Sequence, residues 1–307
     1  DGAPGSNPYV YPAVDWMDML FKNRTSTQRA NLSVQGGGGV ARYYIGGSYT
    51  NDNGILKTDI RNNNNNNVKF QNYQLRSNVN IDLTKSTELV LRLSGTFNEY
   101  NGPLTSDGSF STDIYNLATH SSPVLFPAYY EPDAANQHAN HILFGNTPGS
   151  NAGSFTDINP YAYLLRGHRT FSESRMLAQL ELNQKLDFVT EGLGFHGIFS
   201  TNRYGSFDSS MQYNPFYYSI GAYDKQSDVY TLRWLNNQPG QAQEYLSYYP
   251  GEGSLNTFIY FQGVMDYSKT FADNHNLSGA LIGTRQQTLY SNAKDPDTYQ
   301  RTLQYAL

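Results

Sequence analysis

The chain has 307 residues and no cysteine, and its 26 acidic and 21 basic residues give a formal net charge of −5. This mildly acidic balance excludes the basic footprint of a nucleic-acid-binding protein, and the lack of Cys excludes disulfide scaffolds, thiolate zinc sites and Cys nucleophiles. Charged residues make up only 15% of the chain, whereas 31 Asn, 27 Gly and 26 Tyr together exceed a quarter of it. Because these three residue types form helices poorly, we expect few long helices.

The dominant pattern along the chain is an alternation of apolar and polar residues. Between residues 73 and 83, Leu75 and Val79 lie at one parity and Arg76 and Asn78 at the other. Such strict alternation predicts a strand with one apolar and one polar face. Less complete forms of the same pattern predict seven further strands, at residues 30–35, 42–50, 89–98, 175–188, 193–202, 257–269 and 276–290.

Short and long connections alternate between these predicted strands. The short turns lie at about residues 36–39, 84–87, 189–192 and 271–274, and the long loops at about residues 51–69, 101–170 and 204–256. We also expect residues 1–29 and 291–307 to be loops. Loops longer than ~12–15 residues are uncommon in compact domains, and here all of them fall at one end of the strands. Transmembrane β-barrels have this asymmetry, with short periplasmic turns and long extracellular loops, and ~9–11 residues are enough for a strand to cross the membrane. The sequence therefore predicts an all-β, antiparallel transmembrane β-barrel.

Several motifs resemble the barrel of the SusC/RagA-type TonB-dependent transporters of the Bacteroidetes outer membrane. They are Asp15-Trp16 with Leu20-Phe21, NLSVQGG at residues 31–37 with Tyr43-Tyr44, SYTNDNGI at residues 48–55, and LRSNV at residues 75–79. Their order and spacing are more specific than any one of them alone.

The resemblance implies a barrel of 22 strands with a plugged lumen, which is the size typical of outer-membrane transporters. The eight predicted strands would be an early, consecutive part of that barrel, preceded by an extracellular loop at residues 1–29. The signal sequence, the plug and the TonB box would lie outside this chain.

The implied activity is nutrient import, and the implied protein is not an enzyme. It would sit in outer-membrane lipid and take up a glycan or a peptide with a SusD-like surface lipoprotein. The TonB complex would act through the plug. No cofactor and no nucleic acid are expected.

Two sets of residues are candidates for contact with substrate, lid or plug. Aromatic rings in the long loops suit stacking on sugars or burial against a partner. These loop candidates are Tyr129, Tyr130, Tyr217, Tyr218, Trp234, Tyr248 and Tyr249. Polar strand residues should point into a wet lumen. These lumen-facing candidates are Gln74, Arg76, Asn78, Arg92, Gln179 and Glu181.

No catalytic or metal-binding constellation stands out. His138 and His141 form an HxxH pair that lacks the Glu of a metalloprotease, and we expect both in a solvated loop. The run of six Asn at residues 62–67 is also expected to be a solvated loop, and residues 113–122 are the best candidate for a short helix.

A secreted, soluble all-β glycan-binding protein or glycosidase is the alternative, since it would share the aromatic and Asn enrichment. A propeller should show a repeat of ~40–50 residues, and none is visible in the sequence.

Overall fold

The structure is a computed structural model that describes residues 5–62, 66–104, 110–151, 153–272, 275–292 and 295–306. Its helices are α1 (Trp16–Leu20), α2 (Phe110–His120) and α3 (Pro160–Leu165). Its strands are β1 (Thr27–Gly37), β2 (Ala41–Asn53), β3 (Lys69–Thr84), β4 (Thr87–Pro103), β5 (Tyr129–Tyr130), β6 (Leu143–Gly145), β7 (Gly167–Lys185), β8 (Leu193–Gln212), β9 (Tyr217–Asp224), β10 (Val229–Trp234), β11 (Ser247–Pro250), β12 (Ser254–Phe271), β13 (His275–Asn292) and β14 (Asp295–Ala306). In the described part of the chain, no helix is long and apolar enough to cross a membrane.

The main sheet is antiparallel and runs in the order β1-β2-β3-β4-β7-β8-β12-β13-β14, with β11 pairing beside β8. All eight strands predicted from the sequence are present, and the all-β antiparallel class is confirmed. The strands are longer than predicted, up to 20 residues in β8. Backbone pairing continues through strand ends whose side chains no longer alternate regularly.

The prediction of a loop at residues 291–307 is wrong. β13 ends at Asn292, β14 begins at Asp295, and the two strands pair from Asn292↔Asp295 to Thr284↔Ala306. An Asp-Pro pair opens this strand, and Arg301 interrupts its apolar parity, so the sequence there looks like a loop. The predicted loop at residues 1–29 is likewise too long, because its last three residues belong to β1, which begins at Thr27.

The strand register sorts the side chains of the main sheet onto two faces. Residues paired directly across antiparallel strands point to the same side. One continuous row crosses five strands on what we call the apolar face: Val79, Leu91, Leu180, Phe199 and Phe261. The other parity forms what we call the polar face.

The apolar face is exposed rather than covered. Leu32 is 76% exposed, Leu75 56%, Phe261 44% and Leu281 63%. In water this arrangement would forgo the main driving force of folding, which is the removal of apolar surface from solvent. The main sheet therefore needs an apolar environment on this side.

The buried apolar side chains of the described residues, Val90 and Pro103 of β4 excepted, lie outside the main sheet. They belong to the segment before β1 and to the three long links, which pack together. We call this unit the loop assembly; it comprises the described residues of 5–26, 54–68, 104–166 and 213–246. A first core cluster joins Trp16 and Leu20 of α1 to Ile114 of α2 and to Leu164 and Leu165 of α3.

A small sheet in the order β10-β9-β6-β5 runs through the loop assembly and carries a core cluster on each face. On one face the register aligns Tyr129, Phe144 and Tyr217, which pack on the first cluster. The other face carries Tyr130, Leu143 and Tyr218, which form a second cluster with Phe216. The adjacent pairs Tyr129-Tyr130 and Tyr217-Tyr218 thus each place one ring on each face of the small sheet.

Buried Asn side chains supply hydrogen bonds that the irregular backbone of the loop assembly needs. Asn159 is fully buried, and its Oδ1 caps α3 by accepting from the N–H groups of Tyr161 (2.9 Å) and Ala162 (3.1 Å). Its Nδ2 donates to the carbonyls of Ala128 (2.9 Å) and Gly145 (2.7 Å). One amide therefore ties a helix N-terminus to β6 and to the segment that leads into β5.

The prediction of a solvated loop for the Asn run at residues 62–67 is wrong where the structure describes it. Asn66 is fully buried and donates to the carbonyls of Leu164 (2.7 Å) and Gly167 (2.5 Å), while Asn62 donates to that of Leu165 (2.9 Å). The last carbonyls of a helix have no partner within it, and these amides satisfy those of α3. Residues 63–65 lie outside the described residues.

Replacing Asn159 by Ala should destabilise the loop assembly by about 2–4 kcal/mol. The substitution removes an N-cap, worth ~0.5–2 kcal/mol, and takes one donor from each of two buried carbonyls, at up to roughly 1–3 kcal/mol each. These terms are not additive, and the Ala128 carbonyl keeps the longer bond from the Gly145 N–H at 3.4 Å. The measurement is urea unfolding of the full-length protein in detergent micelles. Asn116→Ala, at an exposed position of α2, is the matched control and should change stability by less than about 0.5 kcal/mol. Equal losses in the two variants would contradict this account.

Candidate functional site

The polar face of the main sheet carries all six predicted lumen-facing residues. Asn78 of β3 pairs with Arg92 of β4, which pairs with Gln179 of β7. The remaining three lie at the same parity on these strands: Gln74, Arg76 and Glu181. Sequence periodicity alone is enough to find this shared face, because the side-chain period of a strand is two.

Charge-assisted hydrogen bonds fix part of the polar face. Arg92 donates to Glu181, whose carboxylate also accepts from the Gln179 amide. Near the short turns, Glu88 accepts from Arg42 (3.2 Å), Asn80 (3.2 Å) and Asn183 (3.1 Å). These groups are mostly engaged with one another and partly exposed, so they offer a polar, hydrogen-bonding surface.

Tyr248 and Tyr249 lie on opposite faces of the main sheet, although the sequence suggests a pair. In β11, Tyr249 pairs with Ser210, which pairs with Arg169, and this places Tyr249 on the polar face. Tyr248 pairs with Met211 and lies on the apolar face. Both residues are exposed, Tyr249 at 47% and Tyr248 at 55%. Adjacent residues of a strand cannot contact one ligand on one side of a sheet.

The polar face is braced next to Tyr249 by an ion pair. The Arg169 guanidinium makes several hydrogen bonds to the Asp208 carboxylate, among them Nη2 to Oδ2 at 2.7 Å and Nε to Oδ1 at 2.9 Å. This geometry fixes the ends of β7 and β8 from which the loop assembly emerges.

The other predicted loop aromatics differ in how much surface they present. Tyr130 and Tyr218 are only 5% and 3% exposed in the second core cluster and have almost no surface to offer a ligand or a lid. Tyr129 and Tyr217 are partly buried against the first cluster. Trp234 is 40% exposed, and its indole N–H donates to Asn236 at 3.1 Å. Trp234, Tyr248 and Tyr249 therefore remain the exposed candidates.

The prediction of a solvated loop is wrong for His141, which is half-buried, whereas His138 is exposed. The His141 ring stacks on Phe216 with 3.7 Å between ring centroids. Its Nδ1 lies 2.9 Å from a carboxylate oxygen of Glu244 and its Nε2 3.0 Å from the Tyr218 hydroxyl. The residues that the structure describes contain no group of three or more His, Asp or Glu side chains arranged to hold a metal ion.

A salt bridge between Asp59 and Arg61, which the sequence did not predict, contacts two residues of the next long link, Tyr129 and Tyr161. Asp59 accepts from the Arg61 guanidinium at 2.5 Å and from the Tyr161 hydroxyl, and Arg61 lies over the Tyr129 ring at 4.1 Å. Burial by itself raises the pKa of Asp59, but the hydrogen bonds from Arg61 and Tyr161 outweigh it and lower the pKa to about 2. Residues 102 apart in sequence meet here, so no local pattern could have found the contact.

The Asp15-Trp16 motif has a structural role in the loop assembly. Asp15 is the N-cap of α1 and accepts from the N–H of Asp18 at 2.9 Å. Trp16 is 3% exposed, packs 5.9 Å from Phe126 between ring centroids, and donates to the Ser122 carbonyl at 3.2 Å. The motif anchors the segment before β1 to the link between β4 and β7.

An antiparallel sheet with an exposed apolar face, an opposite polar face and folded links at one end is typical of the wall of an outer-membrane transporter. No protein-family model matches the chain. The TonB-dependent receptor P3 of Formosa agariphila (strain DSM 15362 / KCTC 12365 / LMG 23005 / KMM 3901 / M-2Alg 35-1) is 28% identical over 149 residues, which are 48% of this chain and 13% of that receptor.

Solved structures of the RagAB peptide importer share the fold. Its 'closed-closed' state matches 95% of this chain with a TM-score of 0.52, at 13% identity and over 30% of the importer chain. Its 'open-open' state gives a TM-score of 0.50, at 13% identity and over 29% of the importer chain. At this identity the likeness shows the fold alone.

The resemblance to SusC/RagA-type TonB-dependent transporters is therefore confirmed by one relative and by the shared fold. The chain spans about 13% of the length of the relative and about 30% of the solved chains.

The salt bridge of Asp59 should make the loop assembly sensitive to acid. A carboxyl whose pKa is lowered from 3.8 to about 2 in the folded state contributes stability that is complete above about pH 4 and is lost as the pH falls toward 2. The difference in melting temperature between the wild type and Asp59→Asn should thus shrink across that interval. Asp18→Asn, which alters a carboxylate that is 72% exposed, should stay close to the wild type throughout. A wild-type advantage over Asp59→Asn that persisted at pH 2 would refute the assignment.

Proposed function

We propose that the main sheet is part of the wall of a closed transmembrane β-barrel in the bacterial outer membrane. The observation that carries this proposal is the exposed apolar face, which runs in continuous register across the strands. Lipid acyl chains supply the apolar contact that this face lacks in water. A soluble all-β protein would need a second layer there, and none of the described residues forms one.

The open edges of the sheet support closure by further strands. Among the described residues, β1 pairs only with β2 and β14 only with β13. Unpaired backbone N–H and C=O groups in a bilayer cost several kcal/mol each, so spanning sheets close on themselves. The proposed barrel has 22 strands, the size of plugged outer-membrane transporters. Its polar face lines the lumen and contacts the plug through the six residues identified above.

The activity we propose for the whole protein is TonB-dependent import of a nutrient, without covalent chemistry. The loop assembly lies at the extracellular mouth and the short turns face the periplasm. A SusD-like lipoprotein docks on the loop assembly as a lid, and the TonB complex acts through the plug. The cargo is a glycan or a peptide. RagAB is a peptide importer, and the fold that it shares with this chain supports this assignment.

Two exposed aromatics, Tyr249 and Trp234, are the proposed contacts for cargo and lid. Tyr249 is placed for cargo because it lies on the polar face, beside the Arg169–Asp208 pair. Trp234 ends β10 of the small sheet and is the proposed lid contact. Tyr248 lies on the apolar face and should touch neither.

Tyr249→Ala should lower uptake about two- to ten-fold, whereas Tyr248→Ala should leave it unchanged. The expected range corresponds to the ~0.5–1.5 kcal/mol of an aromatic contact. The measurement is uptake of candidate oligosaccharides and peptides by cells that carry the full-length variant in place of the wild type. A heat-modifiable gel band from the outer-membrane fraction checks that each variant folds.

Two results would contradict the proposal. One is wild-type protein in the soluble fraction without a heat-modifiable band. The other is wild-type uptake of every cargo by the Tyr249→Ala variant, which would remove this residue from the cargo path.

A further inference from the structure

A cavity of about 280 Å³ lies where the main sheet meets the loop assembly. α3 ends just before Arg166, β8 ends at Gln212, and the Tyr213 N–H donates to the Arg166 carbonyl at 2.9 Å. This bond fixes two walls of the cavity to each other. Four aromatic residues also line the cavity, Phe155, Tyr163, Tyr213 and Tyr217, and the remaining lining is mainly polar.

Arg166 is a cation without an acidic partner. In the residues that the structure describes, no carboxylate lies within ion-pair distance of it, whereas Arg61, Arg92 and Arg169 each pair with an acid. Its guanidinium lies 4.0 Å from the centroid of the Tyr163 ring, and its Nε is buried without a hydrogen-bond partner. Arg166 is half-buried, and a ring contact offsets only part of the free-energy cost of burying part of a cation.

Capping of α3 does not account for this arginine. Cations often stabilise a helix C-terminus by donating to its last carbonyls. Here the Leu164 carbonyl accepts from Asn66, the Leu165 carbonyl from Asn62 and the Arg166 carbonyl from Tyr213. These three carbonyls therefore have donors other than the Arg166 side chain, which lines the cavity instead.

The other groups of the cavity favour a ligand with one negative charge. Burial raises the pKa of Tyr217 to about 12 against the opposing effect of Arg166, and burial also raises the pKa of Tyr213. Both phenols therefore stay protonated at neutral pH and can donate hydrogen bonds. Asp157 also lines the cavity and accepts from the Thr156 hydroxyl at 2.8 Å, and its charge opposes a second anionic group on the ligand.

We propose that this cavity binds a single carboxylate group carried on one sugar ring or one amino-acid residue. Arg166 is the counter-ion for the carboxylate, and the tyrosine and phenylalanine rings pack against the remainder of the ligand. The size follows from the volume, which is just below the ~300 Å³ at which sites for larger ligands begin. This inference rests on the proposed importer and deepens it, because it makes acidic glycan units or peptide carboxylates a preferred cargo.

The test is calorimetric binding to the full-length protein in detergent micelles, with two matched pairs of probes. Glucuronic acid is compared with glucose, and the dipeptide Gly-Phe with its C-terminal amide. At least one acidic probe should bind ten-fold or more tightly than its neutral counterpart, and the pair that shows the preference identifies the source of the carboxylate. If neither pair shows it in the wild type, the proposal is overturned without reference to any variant.

Arg166→Gln should abolish the preference, and Arg166→Lys, which keeps the charge, should retain part of it. Arg233→Gln, an exposed arginine on β10 outside the cavity lining, is the matched control and should bind as the wild type does. A preference that survives Arg166→Gln would overturn the assignment. Binding in micelles does not depend on import. If the preference for acidic probes is absent but neutral cargo is still taken up by cells, the carboxylate site is refuted and the proposed importer is not.

Discussion

The antiparallel register of the main sheet is the constraint on which the rest of the structure depends. Because paired residues share a side, one register sets the face on which each described side chain of the main sheet lies. A slip of one residue between β3 and β4 would move Leu75 to the polar face and Arg76 to the apolar face. The ion pair of Arg92 with Glu181 and the hydrogen bonds of Glu88 join neighbouring strands across the polar face and favour the observed register.

The hydrophobic core of this chain lies in the long links between strands rather than against the main sheet. The main sheet is a single layer whose stability depends on its surroundings, while the long links hold the buried side chains of α1, α2 and α3. Amide side chains make this packing possible. Asn66, Asn146, Asn159 and Asn236 are all nearly fully buried, and each makes hydrogen bonds to more than one main-chain group. The high Asn content of the chain is therefore partly a requirement of folded links.

The sequence predicts the main sheet well because a strand's period of two can be read directly from residues such as those between Tyr73 and Leu83. The strand β14 is harder to predict, because Pro296 and Arg301 interrupt the alternating pattern there. The interior of the loop assembly could not be predicted. The contact of Asp59 with Tyr161 and the capping of Leu164 by Asn66 join residues about a hundred positions apart. Tyr130 and Tyr218 look like surface aromatics for the same reason, since only the tertiary fold buries them.

The most direct test of the central claim is the reactivity of single cysteines along β3 in proteoliposomes that contain the full-length protein. This chain has no native Cys, so each substitution adds one thiol to it. Cysteines that replace Arg76 and Asn78 should react with a charged, water-soluble maleimide. Those replacing Leu75, Ser77 and Val79 should react only with a membrane-soluble reagent. Uniform labelling of all five positions by the charged reagent would contradict the assignment of one face to lipid and the other to the lumen.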